Sequence, residues 1–266
     1  MNILYIGDIM ASYGVQKVAE ILPGLVANEQ IDIVVAQSEN VTDGKGLSVA
    51  DMRALQNTGI HIFTGGNHTP AVEEIHTLLA DDTEPVVGPA NMLECPGKGY
   101  KVIAVGDYRM LVVSLLGSIV GRQADTIVDN PLQKIDSILA EVPRDSYDAS
   151  VVNFHGDFSS EKVVIGHYLD GRVSMVVGDH WHVATADARV LPKGSAHMSD
   201  VGMCGALDSS LGVTYESIIP RWRDGLQTRN ILAHGGSWQF NALLATIDDE
   251  TGRATSARHI RLTGDS

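Results

Sequence analysis

Five times along this chain a short apolar run ends on acids, amides or imidazoles. Ile3-Leu4-Tyr5-Ile6 gives way to Gly7-Asp8, Ile31 to Ala36 leads to Glu39-Asn40, and Ile60 to Thr64 leads to Asn67-His68. Val151-Val152-Asn153-Phe154 is followed by His155, and Met175-Val176-Val177 by Gly178-Asp179-His180-Trp181-His182. Segments with helical character lie between the first three runs and after the third. They are Val15 to Leu22, a stretch opening at Ser48-Val49-Ala50-Asp51 with Ser48 as N-cap, and Ala71 to Ala80. Strand-helix alternation favours a largely parallel sheet covered by helices. Ligands of such sheets bind outside the carboxyl ends of the strands, so all five polar clusters are expected on one rim.

The later chain changes character. Met110 to Leu116, Ala149 to Phe154 and Val173 to Val177 read as strands, and short apolar segments from Val190 onward suggest more antiparallel pairing. Ser237 to Ile247 and Ala254 to Leu262 flank Asp248-Asp249-Glu250-Thr251-Gly252-Arg253, a polar turn that reads as a hairpin. Two sheets packed face to face with helices outside accommodate these runs. With 266 residues and no repeat, low-complexity tract or linker, residues 1–266 are expected to form a single domain.

No basic leader, cleavage site or spanning apolar run is seen, so a cytoplasmic protein is expected, without membrane association. Cys95 and Cys204 form no C-x-x-C pair and are expected to be reduced structural thiols. The 19 Lys and Arg against 33 Asp and Glu give a formal charge of -14, a field that repels duplex nucleic acid and anionic membranes. A phosphorylated substrate would therefore need local positive charge, which bound divalent ions can supply.

Taken singly, each cluster has a plain structural reading. Gly-Asp after a strand serves as a turn or helix cap, His-x-His as two surface residues on one strand face, and a single His155 as a hydrogen-bonded core histidine. Together they deliver carboxylate, amide and imidazole donors without thiolate, which suits manganese, iron, zinc or similar first-row ions. One carboxylate can bridge two ions about 3.5–4 Å apart, the spacing that supports in-line phosphoryl displacement. No G-x-S-x-G elbow occurs, and neither cysteine has an obvious histidine partner, so no covalent nucleophile is expected.

At these residues the chain resembles the calcineurin-like metallophosphoesterases, most closely the YmdB-type branch of bacterial cytoplasmic phosphodiesterases. The matching stretches include Ile6-Gly7-Asp8, Ser38-Glu39-Asn40, Gly44-Lys45-Gly46-Leu47, Gly66-Asn67-His68-Thr69, Phe154-His155, Ser160-Glu161-Lys162, His180-x-His182 and Asp200-Val201-Gly202-Met203. The resemblance implies an α/β fold, a four-layer α/β/β/α sandwich of two mixed sheets with helices outside. It also implies two divalent or mixed-valence metal ions, iron or manganese ahead of zinc or magnesium. Asp8 and His182 would hold the first ion and Glu39 would bridge; Asn40, Asn67, His155 and His180 would serve the second. His68 would be the catalytic general acid.

The implied reaction is hydrolysis of a small phosphodiester, such as a 2′,3′-cyclic nucleotide, by a metal-activated water. Two other readings stay open: a phosphomonoesterase acting on a small metabolite, and a catalytically weak regulatory protein that binds metal or nucleotide. A homo-oligomer is compatible with the resemblance. Met10, where the wider superfamily has the histidine of a D-x-H motif, and Glu39-Asn40, where it has G-D, are features of this branch. Val15, Pro70, Gly156, Asp157, Asp179 and Trp181 are departures of this chain, expected around the site mouth, where they would bear on substrate preference. Lys45, Lys98 and Arg122 read as solvated charges before substrate contacts, and Trp181 and Tyr168 as packing before base stacking.

Overall fold

The computed structural model describes residues 1–121 and 124–265; Arg122 lies outside the described residues. Strand β1 (Asn2–Ile6) lies parallel to β3 (Ile33–Gln37), which lies parallel to β4 (Ile62–Thr64). The short β2 (Asp8–Ile9) pairs with β11 (Met203–Ala206). The closing hairpin, β12 (Trp238–Ile247) with β13 (Ala254–Gly264), joins this sheet antiparallel through β1 and β11. The sheet order is β2-β11-β12-β1-β3-β4, with β13 on β12.

The second sheet runs β5 (Tyr100–Val105), β6 (Tyr108–Leu116), β7 (Ala149–His155), β8 (Met175–Asp179), β10 (Ala196–Met198) and β9 (Arg189–Val190). Its centre is parallel from β6 through β10, and its two outer pairs are antiparallel. Both sheets are mixed, as expected.

Alternation along the strands divides the core into layers, because successive side chains point to opposite faces. Ile3, Tyr5, Ile33, Val35 and Ile62 face Met110, Val112, Val151, Met175 and Val177 between the sheets. Leu4, Ile6, Val34 and Phe63 point outward onto Val18 and Leu22 of α1 (Ala11–Glu29), Met52 and Leu55 of α2 (Val49–Gln56) and Leu79 of α3 (His76–Ala80). On the other outer face Leu111, Val113, Val152 and Val176 pack on Ile135 and Ile138 of α4 (Pro131–Glu141) and on Ile165 and Leu169 of α5 (Ser159–Leu169). The result is the expected four-layer α/β/β/α sandwich. A further helix, α6 (Tyr215–Asp224), sits at one end, where Ile218 packs with Met10, Met203 and Val213.

The expected elements recur with shifted edges. Ser48 caps α2 by accepting from the Asp51 backbone N–H at 3.0 Å. The helix expected over Ala71–Ala80 is instead two 3-10 turns, Thr69–Ala71 and Glu73–Ile75, followed by α3. Val72 breaks the run in extended backbone, and the Pro70 carbonyl is taken by His76 Nε2 at 3.1 Å. Helix α1 runs well past the expected Val15–Leu22, through Pro23 and Gly24. Helices α4, α5 and α6 lie where no helix was expected. Among the described residues no helix is long and apolar enough to cross a membrane.

Candidate active site

All five strand ends meet at one rim. Asp8 follows β1, Glu39 and Asn40 follow β3, Asn67 and His68 follow β4, His155 ends β7, and His180 and His182 follow β8. Because β1, β3 and β4 are parallel in one sheet and β7 and β8 in the other, their carboxyl ends face the same way, and the loops after them close on a common point.

The donors form two groups joined by Glu39. In one, His182 Nε2 lies 3.8 Å from Asp8 Oδ1, and Asn40 Nδ2 lies 3.3 Å from both His182 Nε2 and Asp8 Oδ1 and 3.0 Å from Glu39 Oε1. In the other, His155 Nε2 lies 2.8 Å from Asn67 Oδ1, 2.8 Å from His180 Nδ1 and 3.3 Å from Glu39 Oε1. The ligand atoms of Glu39, His155 and His180 fall within 4.8 Å of one another. Asn40 thus stands with Asp8 and His182 rather than with the second group, and turns its Nδ2 toward them; the carboxylates, the imidazoles and Asn67 Oδ1, crowded this closely, fit divalent cations.

Charge in the pocket points the same way. Burial, with the Asp179 and Glu39 carboxylates nearby, pushes the Asp8 carboxyl well above its ordinary range. Glu39 is also fully buried, but the His155 and His68 imidazoles outweigh that and hold it well below. Burial opposes a charged His155, yet Glu39 and Asp179 raise its pKa well above the usual imidazole value. Burial and the charge on His155 push His180 down to about 2, and burial lowers His182. Mutually opposed acids and a neutral imidazole pair are what an added cation would stabilise.

His68 stands at the edge of this cluster. Its backbone N–H donates to Glu39 Oε2 at 2.9 Å, and its Nδ1 is 3.2 Å from Glu39 Oε1 and 3.2 Å from Asn40 Oδ1. The chain must pass Glu39 closely here: a Cβ on Gly66 would stand 2.3 Å from Glu39 Oε2 and 2.6 Å from the His155 ring, so only glycine fits.

The loop after β8 carries His180 at φ 100 and His182 at φ 61, a conformation costly for a side chain with a Cβ. Its backbone is pinned from beneath. Asp8 Oδ2 accepts from His180 N at 3.2 Å, and Asp200 Oδ2 accepts from Trp181 N at 2.9 Å. Asp200 also receives Lys162 Nζ at 3.0 Å, and the same ammonium donates to the Asp179 carbonyl. Both Lys162 and Asp200 are fully buried, and Lys162 lies 4.7 Å over the Trp181 ring.

The departures of this chain divide: Asp157 lines the cavity beside the site with His68 and His180, as expected, whereas Asp179 and Trp181 lie beneath it. Asp179 is buried beneath His155 and accepts from Tyr5, Gln37 and Asn153 as well as from His155 Nδ1. Asp157 Oδ1 lies 3.2 Å from His180 Nε2, and its carbonyl takes the Trp181 indole N–H at 3.0 Å. Trp181 is packing, as expected, and Tyr168 on α5 is tied to Asp136 on α4, with the Arg172 guanidinium over its ring. Lys98 pairs with Asp82 at the surface, whereas Lys45 lines a cavity of about 670 Å³ with Asn67, His68 and His180. Both cysteines are free.

Asp200, Lys162 and Gln37 are site residues that sequence reasoning does not single out. The Ser160-Glu161-Lys162 and Asp200-Val201-Gly202 stretches carry part of the family resemblance, but nothing local reveals that a helical lysine and a loop aspartate meet beneath a strand end.

The family model described as YmdB-like protein matches residues 4–260. A Bacillus subtilis (strain 168) protein named 2′,3′-cyclic-nucleotide 2′-phosphodiesterase is 37% identical over 100% of this chain and 98% of its own length. A Mycoplasma pneumoniae structure described as a novel phosphatase superposes with TM-score 0.91 at 28% identity, over 100% of this chain and 94% of that one. A Thermus thermophilus structure, described as a hypothetical protein, gives TM-score 0.87 at 35% identity over 99% of each chain. With its fold, its strand-end cluster and nearly its whole length in agreement, this chain belongs to the YmdB-like protein family.

Proposed function

We propose that this chain, a phosphoric ester hydrolase, cleaves a small phosphodiester, with 2′,3′-cyclic nucleotides as its substrate class. The observation that carries this reading is the convergence of His155 Nε2, Asn67 Oδ1, His180 Nδ1 and Glu39 Oε1 beside the Asp8, Asn40 and His182 group. Those seven residues would hold two divalent first-row ions. Bound ions would lower the pKa of a water and neutralise charge on the phosphoryl oxygens. The name of the Bacillus subtilis relative supports the diester; the Mycoplasma pneumoniae neighbour, described as a phosphatase, makes monoesters the comparison to run.

His68 supplies the proton. Its Nδ1 is occupied by Glu39 and Asn40, and its Nε2 makes no hydrogen bond among the described residues. As the water oxygen bonds to phosphorus and the phosphorus–ester oxygen bond breaks, Nε2 protonates the leaving ribose oxygen. Glu39 keeps the imidazole aimed through both its ring and its backbone. The buried carboxylate of Asp179 orients His155 from behind, and the half-buried carboxylate of Asp157 orients His180.

The test is metal analysis of the purified protein, followed by turnover of 2′,3′-cyclic nucleotides, linear diesters and monoesters. Loss of metal in Glu39→Ala, and slow turnover of poor leaving groups in a metal-replete His68→Ala, are expected. Monoester turnover far above any diester would replace the diester reading. Full activity in His68→Ala would remove the acid role.

A further inference from the structure

Beside the candidate metal ligands a cavity of about 270 Å³ has Glu39, His68, His180 and His182 on one side and Arg221 and Trp222 of α6 on the other. Arg221 is held by one nitrogen only: Nη2 donates to the Thr228 carbonyl at 2.7 Å and to Asn230 Oδ1 at 2.9 Å. Among the described residues its Nη1 makes no hydrogen bond, and its Nε is buried without a partner. A buried donor left unpaired is costly, and a bound group that completes it is one explanation for its being kept. Thr228, whose carbonyl clamps the guanidinium, has a buried Oγ1 that is likewise unpartnered among the described residues.

Trp222, the next residue, is 83% exposed at the same cavity. An indole open to water beside a catalytic centre offers a flat apolar face, and an aromatic base is the ligand part that stacks on it. The surroundings are acidic: the chain carries -14, and Asp8, Glu39, Asp157, Asp179 and Asp200 all lie within the cluster. In that field Arg221 and Lys45 are, among the described residues, the cations that line the two cavities at the site, and a fixed guanidinium is suited to a phosphoryl oxygen.

We propose that Arg221 and Trp222 form the substrate-recognition subsite: Arg221 binds the phosphoryl group, and Trp222 stacks on the base of a nucleotide. The proposal rests on the phosphodiesterase reading above and deepens it by assigning the residues that would recognise the phosphoryl group and the base of such a nucleotide. Tyr215, Ile219 and Leu226 are also exposed, and with Trp222 they make an apolar stripe that a second copy of the chain could cover. That occupant is the alternative the experiment must separate.

The experiment compares adenosine 2′,3′-cyclic phosphate with the base-free methyl riboside 2′,3′-cyclic phosphate. In wild type the nucleotide is expected to have the lower KM. In Trp222→Ala the ratio of kcat/KM between the two should fall roughly tenfold, carried by KM, and Trp222→Phe should restore it. Arg221→Met should raise KM for both substrates by roughly tenfold or more, leaving their ratio in place. An unchanged ratio in Trp222→Ala overturns the stacking role, and if that variant instead shifts the sedimentation coefficient, the stripe is a contact between copies. An unchanged KM in Arg221→Met overturns the phosphoryl role. Should wild type hydrolyse neither substrate, the phosphodiesterase reading fails by itself. The subsite is then judged by quenching of tryptophan fluorescence with adenosine monophosphate against ribose 5-phosphate, which must favour the nucleotide and vanish in Trp222→Ala.

Discussion

Asp179 Oδ1 stands 2.6 Å from Nδ1 of His155, and neither side chain reaches solvent. The carboxylate fixes the ring so that Nε2 faces Glu39, Asn67 and His180, and it keeps the proton on the far nitrogen. Its other oxygen is saturated by Tyr5, Gln37 and Asn153. Asp179→Asn should weaken metal binding by about 10–100-fold. Tyr5→Phe, which removes one of the donors, should do so far less. Competition with a chelating dye reads both, and equal metal affinity in Asp179→Asn and wild type would contradict the positioning role.

Lys162 and Asp200 form a buried ion pair at 3.0 Å beneath the His180–His182 turn. Lys162→Met keeps much of the volume and strands the carboxylate. Removing one partner of a buried pair costs about 3–5 kcal/mol, and urea unfolding followed by circular dichroism should show a loss of that size. A loss below about 1 kcal/mol would mean that water or Trp181 N–H satisfies Asp200 alone.

The strand ends are legible in sequence because a strand is short and apolar and its last residue is marked by a change to polar side chains. That is how Asp8, Glu39, Asn67, His155, His180 and His182 can be singled out. Helices α5 and α6 are not, since Gly166 and Pro220 weaken or interrupt the pattern that marks a helix, whereas α4 does carry a start signal, Asn130 as N-cap with Pro131 in the first turn, that the expected elements leave unused. Lys162 and Asp179 escape for another reason. Each acts through a partner distant along the chain, and a charge read alone looks like a solvated one. Asp179 in particular reads as an irregularity near a mouth, and only the register of β7 with β8, which pairs it with His155, puts it behind the ligand.

His197 on β10 is buried, with Nδ1 donating to the Val176 carbonyl at 3.0 Å and Nε2, against Gly166, unpartnered among the described residues. Burial lowers its pKa in the folded protein, so the unfolded chain binds the proton first as pH falls. Its contribution is fully present above the unfolded value of about 6.5 and is lost progressively below it, toward the lower folded pKa. His197→Asn should therefore flatten the dependence of stability on pH between about 6.5 and 5, by up to about 1.4 kcal/mol per pH unit relative to wild type. Parallel pH profiles for the two proteins would show that His197 titrates normally.

Burial pushes the thiols of Cys95 and Cys204 up to about 12 each. At about pH 8 both are neutral, and the thiol is not the nucleophile. Iodoacetamide should leave the folded protein unlabelled over an hour and label both cysteines in urea, as read by intact mass. Rapid labelling of Cys204 in the folded state would point to opening of the β2–β11 edge, where it pairs with Ile9.

Two glycines test how far the site dictates the chain. Gly66 lies against Glu39 and His155, and Gly24 lies exposed in α1 with nothing within 4 Å of an added Cβ. Gly24→Ala should stabilise by about 0.5–1 kcal/mol, since alanine restricts the unfolded chain and suits a helix. Gly66→Ala has no such freedom: its methyl would overlap a carboxylate oxygen and an imidazole that both belong to the proposed metal-binding cluster. The backbone after β4 must then move, carrying Asn67 and His68 with it. Gly66→Ala should accordingly lose bound metal at concentrations that saturate wild type, even where its melting temperature falls only modestly. A Gly66→Ala protein with full metal content would mean that the strand end is far more compliant than close packing around Glu39 allows.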